Sequence, residues 1–223
     1  MTQDKIQKRK KSFFLGFKVR VISMLAQKGG SGKTTTAVHL AVEASRDKMK
    51  VALVDLDPQR SASIWHKNRE KEEPRLASIL SVELEELIEA ATKDGVDLLI
   101  VDTPPHTAPA TAKVAQLSHF VLVPCQPSPL DIAALPPTIE LIKAAKCDAA
   151  AVLTRTTYRS LDTADTKAAL QTYGIRVSPI TMGDRNVYKR ALMQGEAVCE
   201  FDPKGKASEE VSNLWSWLKG EVF

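Results

Sequence analysis

The chain has 223 residues and a formal net charge of +4. That is enough for one α/β domain with a substantial core, and a charge too mild to demand a nucleic-acid partner while permitting one. No apolar run approaches a membrane span. The start has no apolar signal-peptide core, so a cytoplasmic location is expected. Cys125, Cys147 and Cys199 form no Cys-x-x-Cys pair, which excludes the usual zinc and iron–sulfur frameworks and predicts reduced thiols.

Residues 1–18 read as a basic tail, with Lys5, Lys8, Arg9, Lys10 and Lys11 opposed only by Asp4. Such a tail either touches DNA phosphates or an acidic membrane, or simply keeps the chain soluble. Phe13, Phe14, Leu15 and Phe17 follow it and read as packing on the domain edge or as an interfacial anchor. Residues 19–223 read as a single domain. Val19 to Ala26 is an apolar run of strand type, and Thr34 to Ser45 carries a helical stripe of Ala37, Val38, Leu40, Ala41 and Ala44.

Between them lies Lys28-Gly29-Gly30-Ser31-Gly32-Lys33-Thr34-Thr35. Strand, glycine-rich turn and helix is the context of a phosphate-binding loop. Glycines let successive backbone N–H groups converge on one anion, and the helix start adds more N–H groups and its positive dipole end. Lys33 can reach the outer phosphates, and the Thr34 hydroxyl is placed to hold a magnesium ion. The plain form of this loop has a glycine five residues before Gly32, where this chain has Gln27, and it lacks the extra lysine, Lys28. The plainer alternative is a surface turn with two lysines.

Val51 to Val54 is a continuous apolar run ending in Asp55-Leu56-Asp57-Pro58-Gln59. Carboxylates at the C-terminal end of a buried parallel strand lie where such sheets bind ligands; the alternative is an acidic turn. Ser61 to Glu72 reads as a helix in which Trp65 packs, Leu76 to Leu80 as a short strand, and Ser81 as the cap of a helix to Ala91. Leu98 to Val101 ends in Asp102-Thr103-Pro104-Pro105 and looks like a Walker B strand, with Asp102 reaching magnesium through water opposite Thr34. His106 reads as an ordinary loop residue.

A helix over 109–116, a strand over 120–123 and a proline-rich turn from Pro124 to Pro129 follow. A helical stretch from Leu130 is broken at Pro136-Pro137, and a strand from Ala149 to Leu153 ends in Thr154-Arg155. Asp162 to Tyr173 reads as a helix and Val177 to Ile180 as the last strand. The final helix has Ser208 as its cap, Gly220 after its end, and one apolar face of Val211, Leu214, Trp215 and Leu218. Strands alternating with helices predict a doubly wound, mostly parallel sheet with helices on both faces.

In combination, Lys28 to Thr35, Asp55 to Gln59 and Asp102 to Pro105 resemble the ParA/MinD family of deviant Walker-type ATPases, and most of all a small ParA partition ATPase. The resemblance runs from about Val19 to Leu218. It implies binding of ATP or ADP with Mg2+ on residues 28–35, and a weak adenine contact by Thr154. It implies that Asp57 orients the attacking water and that Asp55 lies in the outer shell of the magnesium. It further implies a homodimer formed on ATP binding, in which Lys28 crosses to the partner's phosphates.

The same resemblance implies that the dimer binds nonspecific DNA, which would make it nucleoid-associated, until a centromere-binding, ParB-like partner protein stimulates hydrolysis. Lys189, Arg190, Lys204, Lys206 and Lys219 are the candidate DNA contacts, with a solvated charged face as the alternative. A MinD-like or cargo-positioning ATPase acting at a membrane shares every nucleotide motif. The acidic residues Glu209, Glu210 and Glu221 of the last helix weigh against lipid binding. A metal-cluster carrier lacks its cysteines here, and a small-molecule kinase would need a substrate constellation that the motifs do not supply.

Overall fold

The computed structural model describes residues 18–105, 108–157 and 161–223. The basic tail with its phenylalanines, and His106, lie outside the described residues. Seven strands form one sheet: β1 (Arg20–Met24), β2 (Val51–Asp55), β3 (Arg75–Ser78), β4 (Leu98–Asp102), β5 (Phe120–Cys125), β6 (Asp148–Leu153) and β7 (Arg176–Val177). Their order is β3-β2-β4-β1-β5-β6-β7, and every pairing is parallel. The central strands are buried on both faces, which is why 98–101 reads as an unbroken apolar run.

The helices are α1 (Lys33–Arg46), α2 (Ser61–Lys67), α3 (Leu84–Lys93), α4 (Ala108–Gln116), α5 (Pro129–Ala133), α6 (Pro136–Ala145), α7 (Leu161–Thr172), α8 (Asn186–Met193), α9 (Val198–Phe201) and α10 (Lys206–Val222). Two apolar clusters cover the sheet. Side chains of α1, α8, α9 and α10 pack on one face, with Trp65 of α2. Those of α3, α4 and α6 pack on the other. The stripe of Val211, Leu214, Trp215 and Leu218 is entirely buried in the first cluster, so the apolar face of α10 is used by the fold. No helix of the described residues is long and apolar enough to cross a membrane.

The strand order sets the site. β1 lies between β4 and β5, and the chain passes from one to the other across it. Loops at the C-terminal ends of strands part at such a switch point and leave a crevice. In the register, Asp102 pairs with Met24 on one side and with Asp55 on the other. Both carboxylates therefore stand at the rim beside the loop that follows β1.

Several local expectations are corrected. Pro124 and Cys125 belong to β5. Leu122 accepts from Leu25 and Cys125 from Thr154, so Pro124 faces the β1 side just beyond the end of β1, where a missing N–H costs nothing. Ser81 caps no helix: it opens a 3-10 turn, and the Glu83 carboxylate accepts from the Leu80 N–H at 2.7 Å. Ser208 is buried inside α10, whose N-cap is Gly205, and the helix runs through Gly220 to Val222. The helix from Ser61 stops at Lys67, because Arg69 turns back to bond Gly195 O and Glu200.

Candidate functional site

The loop between β1 and α1 is shaped by its glycines. Gly30 and Gly32 have φ of 76° and 102°, a region L side chains rarely adopt. Gly32 is also the N-cap of α1 and offers no side chain to its first turn, which leaves those N–H groups for a bound anion. The loop carbonyls are held from behind. Gln126 Nε2 donates to Gly30 O at 2.7 Å, Thr154 Oγ1 to Ser31 O at 2.8 Å, and Lys33 Nζ to Lys28 O at 3.3 Å. Burial lowers the Lys33 pKa, opposed by the carboxylates of Asp102 and Asp57. Lys33 is thus a desolvated cation awaiting stronger negative charge.

The acidic half of the site faces this lysine. Thr34 Oγ1 donates to Asp102 Oδ2 at 2.6 Å. Asp102 Oδ1 is buried with no hydrogen-bond partner. Burial pushes the Asp102 carboxyl up to about 7; the Thr34 hydrogen bond opposes this and the neighbouring Asp55 adds to it. An orphaned carboxylate oxygen beside a hydroxyl fits a hard divalent cation that takes its other ligands from water and phosphate. No group of three or more His, Cys, Asp or Glu side chains able to hold a metal occurs among the described residues.

Asp55 and Asp57 divide their work. Asp55 Oδ2 accepts from the Ser63 N–H at 2.8 Å and the Ser63 hydroxyl at 2.7 Å, and Oδ1 from the Asp57 N–H at 3.1 Å. It holds the start of α2 to the end of β2, a structural duty that the two-residue spacing did not reveal. Asp57 Oδ1 accepts only a turn bond from Gln59 N–H at 2.9 Å, and its charge is felt at Lys33. Thr154 is spent as well: its hydroxyl holds Ser31, and its methyl lies against Gly32. In this structure the Thr154 hydroxyl clamps the loop.

Lys28 is held within its own chain. Its Nζ lies 2.5 Å from Asp131 Oδ2 of α5. The Asp131 side chain is 5% exposed and that of Lys28 39%. Ser128 Oγ bonds the same oxygen, while Asp131 Oδ1 is buried without a partner. Asp131 was not among the residues singled out in the sequence.

A family profile described as CbiA, the CobQ/CobB/MinD/ParA nucleotide binding domain, matches residues 22–198. The chain belongs to this family. It is an ATPase of the ParA/MinD kind. A protein of Halothiobacillus neapolitanus described as maintenance of carboxysome distribution protein A is 30% identical over 84% of this chain and 90% of its own length. A protein of the same description from Gloeobacter kilaueensis is 34% identical over 86% and 88%. The chromosome-partitioning ATPase Soj of Thermus thermophilus is 33% identical over 49% and 55%. A Cyanothece McdA–ATP complex shares the fold at a TM-score of 0.74 and 18% identity, over 93% of this chain and 97% of its own.

On this ParA/MinD scaffold, a cleft opens beside Gly32, Thr35 and Thr36, walled by Arg155, Met182 and the segment from Gly183 to Arg185. The basic candidates fall into two places. Lys189 and Arg190 are exposed on α8, and Lys204 and Lys206 are exposed at the start of α10. The Tyr188 hydroxyl donates to Glu210 of α10 at 2.8 Å and so joins these two elements. The Arg190 guanidinium lies 5.3 Å from the Phe201 ring centroid. Lys219 stands apart: it pairs with Asp47 at 2.7 Å and is about 20 Å along α10 from Lys206 at the helical rise.

Proposed function

We propose that this ATPase is a positioning switch that distributes a cargo over a DNA surface. The observation that carries the reading is near full-length similarity to two proteins described as maintaining carboxysome distribution. The phosphate loop holds the triphosphate through its backbone N–H groups and Lys33. The base and ribose occupy the cleft beside Gly32 and Thr36. Thr34 and Asp102 would hold Mg2+, which when bound supplies positive charge to the β- and γ-phosphates. Asp57 orients a water for attack on the γ-phosphate.

Two ATP-bound chains associate face to face. Lys28 leaves Asp131 and reaches the other chain's phosphates, where its charge stabilises the transition state. Dimerisation doubles the basic surface of Lys189, Arg190, Lys204 and Lys206 on one body, which strengthens contact with DNA phosphates. A partner on the cargo stimulates hydrolysis and releases the dimer. Plasmid or chromosome partition with a ParB-like partner is the second reading, favoured by the Soj match over half the chain.

Binding to a random duplex with ATP and with ADP, over a salt series, tests the surface. Tight binding with ATP alone, weakening steeply with salt, is expected. No binding in either state would remove DNA and turn the search to acidic vesicles.

A further inference from the structure

The segment from Met182 to Arg185 walls the cleft beside the phosphate loop yet belongs to no helix or long strand. Its two edges are nonetheless fixed. On one edge Thr156 N–H donates to Met182 O at 3.1 Å and Asp184 N–H to Thr156 O at 2.9 Å. On the other edge a single carboxylate, Glu210 of α10, accepts four hydrogen bonds. Its Oε2 takes the Gly183 N–H at 3.0 Å and the Tyr188 hydroxyl at 2.8 Å. Its Oε1 takes Arg185 Nε at 3.0 Å and Nη2 at 2.6 Å. A carboxylate offers about four lone-pair sites, so the acceptor capacity of Glu210 is filled.

All three donor residues, Gly183, Arg185 and Tyr188, line the cleft. Glu210 itself stands behind them, on a helix anchored by the adjacent Val211 and by Leu214, Trp215 and Leu218. Burial and the nearby carboxylate raise the Tyr188 phenol well above its ordinary range, so it stays a donor. The Arg185 guanidinium folds over Gly183, within 3.0 Å of the point where a Cβ would sit. Holding that guanidinium and the Gly183 N–H in place fixes the wall before any ligand enters.

We infer that Glu210 is a positioning residue for the nucleoside half of the site, tying the C-terminal helix to the wall that receives base and ribose. This rests on the reading that the cleft beside Gly32 takes the nucleoside. Preorganised walls raise affinity by removing the ordering cost of binding. The effect is confined to ligands that carry a nucleoside, because phosphates alone are held by residues 29–34.

Calorimetric titration with ADP and with inorganic tripolyphosphate tests this, on wild type, Glu210→Ala, Glu210→Gln and Arg185→Ala. The expected result is that Glu210→Ala binds ADP about tenfold more weakly and tripolyphosphate within twofold of wild type. Glu210→Gln, which keeps one acceptor, is intermediate and serves alone if the alanine variant does not fold. Equal losses for both ligands would reduce Glu210 to a general stabiliser and overturn the inference. A selective ADP loss in Arg185→Ala but none in either Glu210 variant would keep the cleft as the nucleoside site and overturn the role of Glu210. Unchanged ADP binding in all three variants would overturn the cleft reading, and the inference with it.

Discussion

The Lys28 ammonium lies 2.5 Å from the Asp131 carboxylate of the same chain, so the extra lysine of the phosphate loop is occupied before any partner arrives. Asp131 is buried, and its second oxygen is unpartnered. In the proposed dimer the pair must separate for Lys28 to cross the interface, so its strength would oppose that step. Because Lys28 is more than a third exposed, solvent screens the pair, and its worth is about 1 kcal/mol. Asp131→Asn keeps the volume and removes the charge. Two such pairs separate per dimer, so the substitution is expected to tighten ATP-dependent self-association by about thirtyfold. Analytical ultracentrifugation with ATP measures this, and an unchanged or weaker dimer would show that Asp131 does not restrain Lys28.

The two lysines of the loop should separate cleanly. Lys33 is buried beside Asp102 and Asp57 and bonds Lys28 O only at a long 3.3 Å, which leaves its charge to meet phosphate in the proposed site. Lys33→Ala is expected to lose nucleotide binding by at least about a hundredfold, the cost of an unmet charge-assisted contact in a desolvated site. Lys28→Ala should bind ADP as a monomer like wild type and fail in ATP-dependent dimerisation or hydrolysis. Fluorescent ADP titration and a phosphate-release assay read the two halves. Normal stimulated hydrolysis by Lys28→Ala would falsify the cross-interface role.

What could be read in the chain beforehand was whatever is local in sequence. The glycines, Lys33 and Thr34 fall within one turn of each other, and Asp102 follows directly on its strand, so their chemistry is legible without a fold. That the sheet is parallel was legible because 51–54 and 98–101 are apolar throughout. Asp131, Glu210 and Arg69 were not legible, since each acts on a partner far along the chain: Lys28, Arg185 and Glu200. Nothing in the spacing of Asp55 and Asp57 tells which faces the ligand. Nor does that spacing show that the Ser63 N–H and hydroxyl bond Asp55.

Asp102 should make metal-free stability fall with pH. Burial raises its carboxyl to about 7, against about 3.9 in the unfolded chain. Between those values the folded state holds a proton that the unfolded state has released. Stability contributed by this group is therefore present below about pH 4 and is lost as pH rises through 7. Asp102→Asn has no proton to lose. In thermal unfolding without metal, the variant should gain on wild type by a few degrees between about pH 5 and pH 8. A difference that does not move with pH would mean that Asp102 is not raised.

Outside the site, Arg69 and Glu200 form a buried ion pair, with side chains 3% and 8% exposed. Arg69 Nη1 and Nη2 each reach a different Glu200 oxygen at 2.8 Å. The guanidinium also donates to Gly195 O at 3.0 Å and lies 5.0 Å from the Trp65 ring centroid. Bidentate geometry holds Glu200 down to about 2 despite burial. Lys71 Nζ also pairs with Glu200 Oε1 at 2.9 Å, so removing Arg69 leaves Glu200 one exposed partner and costs the low end of about 3–5 kcal/mol, while removing Glu200 strands the buried guanidinium. Arg69→Met is accordingly expected to lower the melting temperature by roughly 10 °C. Glu200→Leu should lower it too, since it frees both the guanidinium and the Ala197 N–H that Glu200 accepts. The double variant should sit well above the sum of the two losses, because neither charge is then left unpaired. Strict additivity in that cycle would mean that the two groups do not depend on each other.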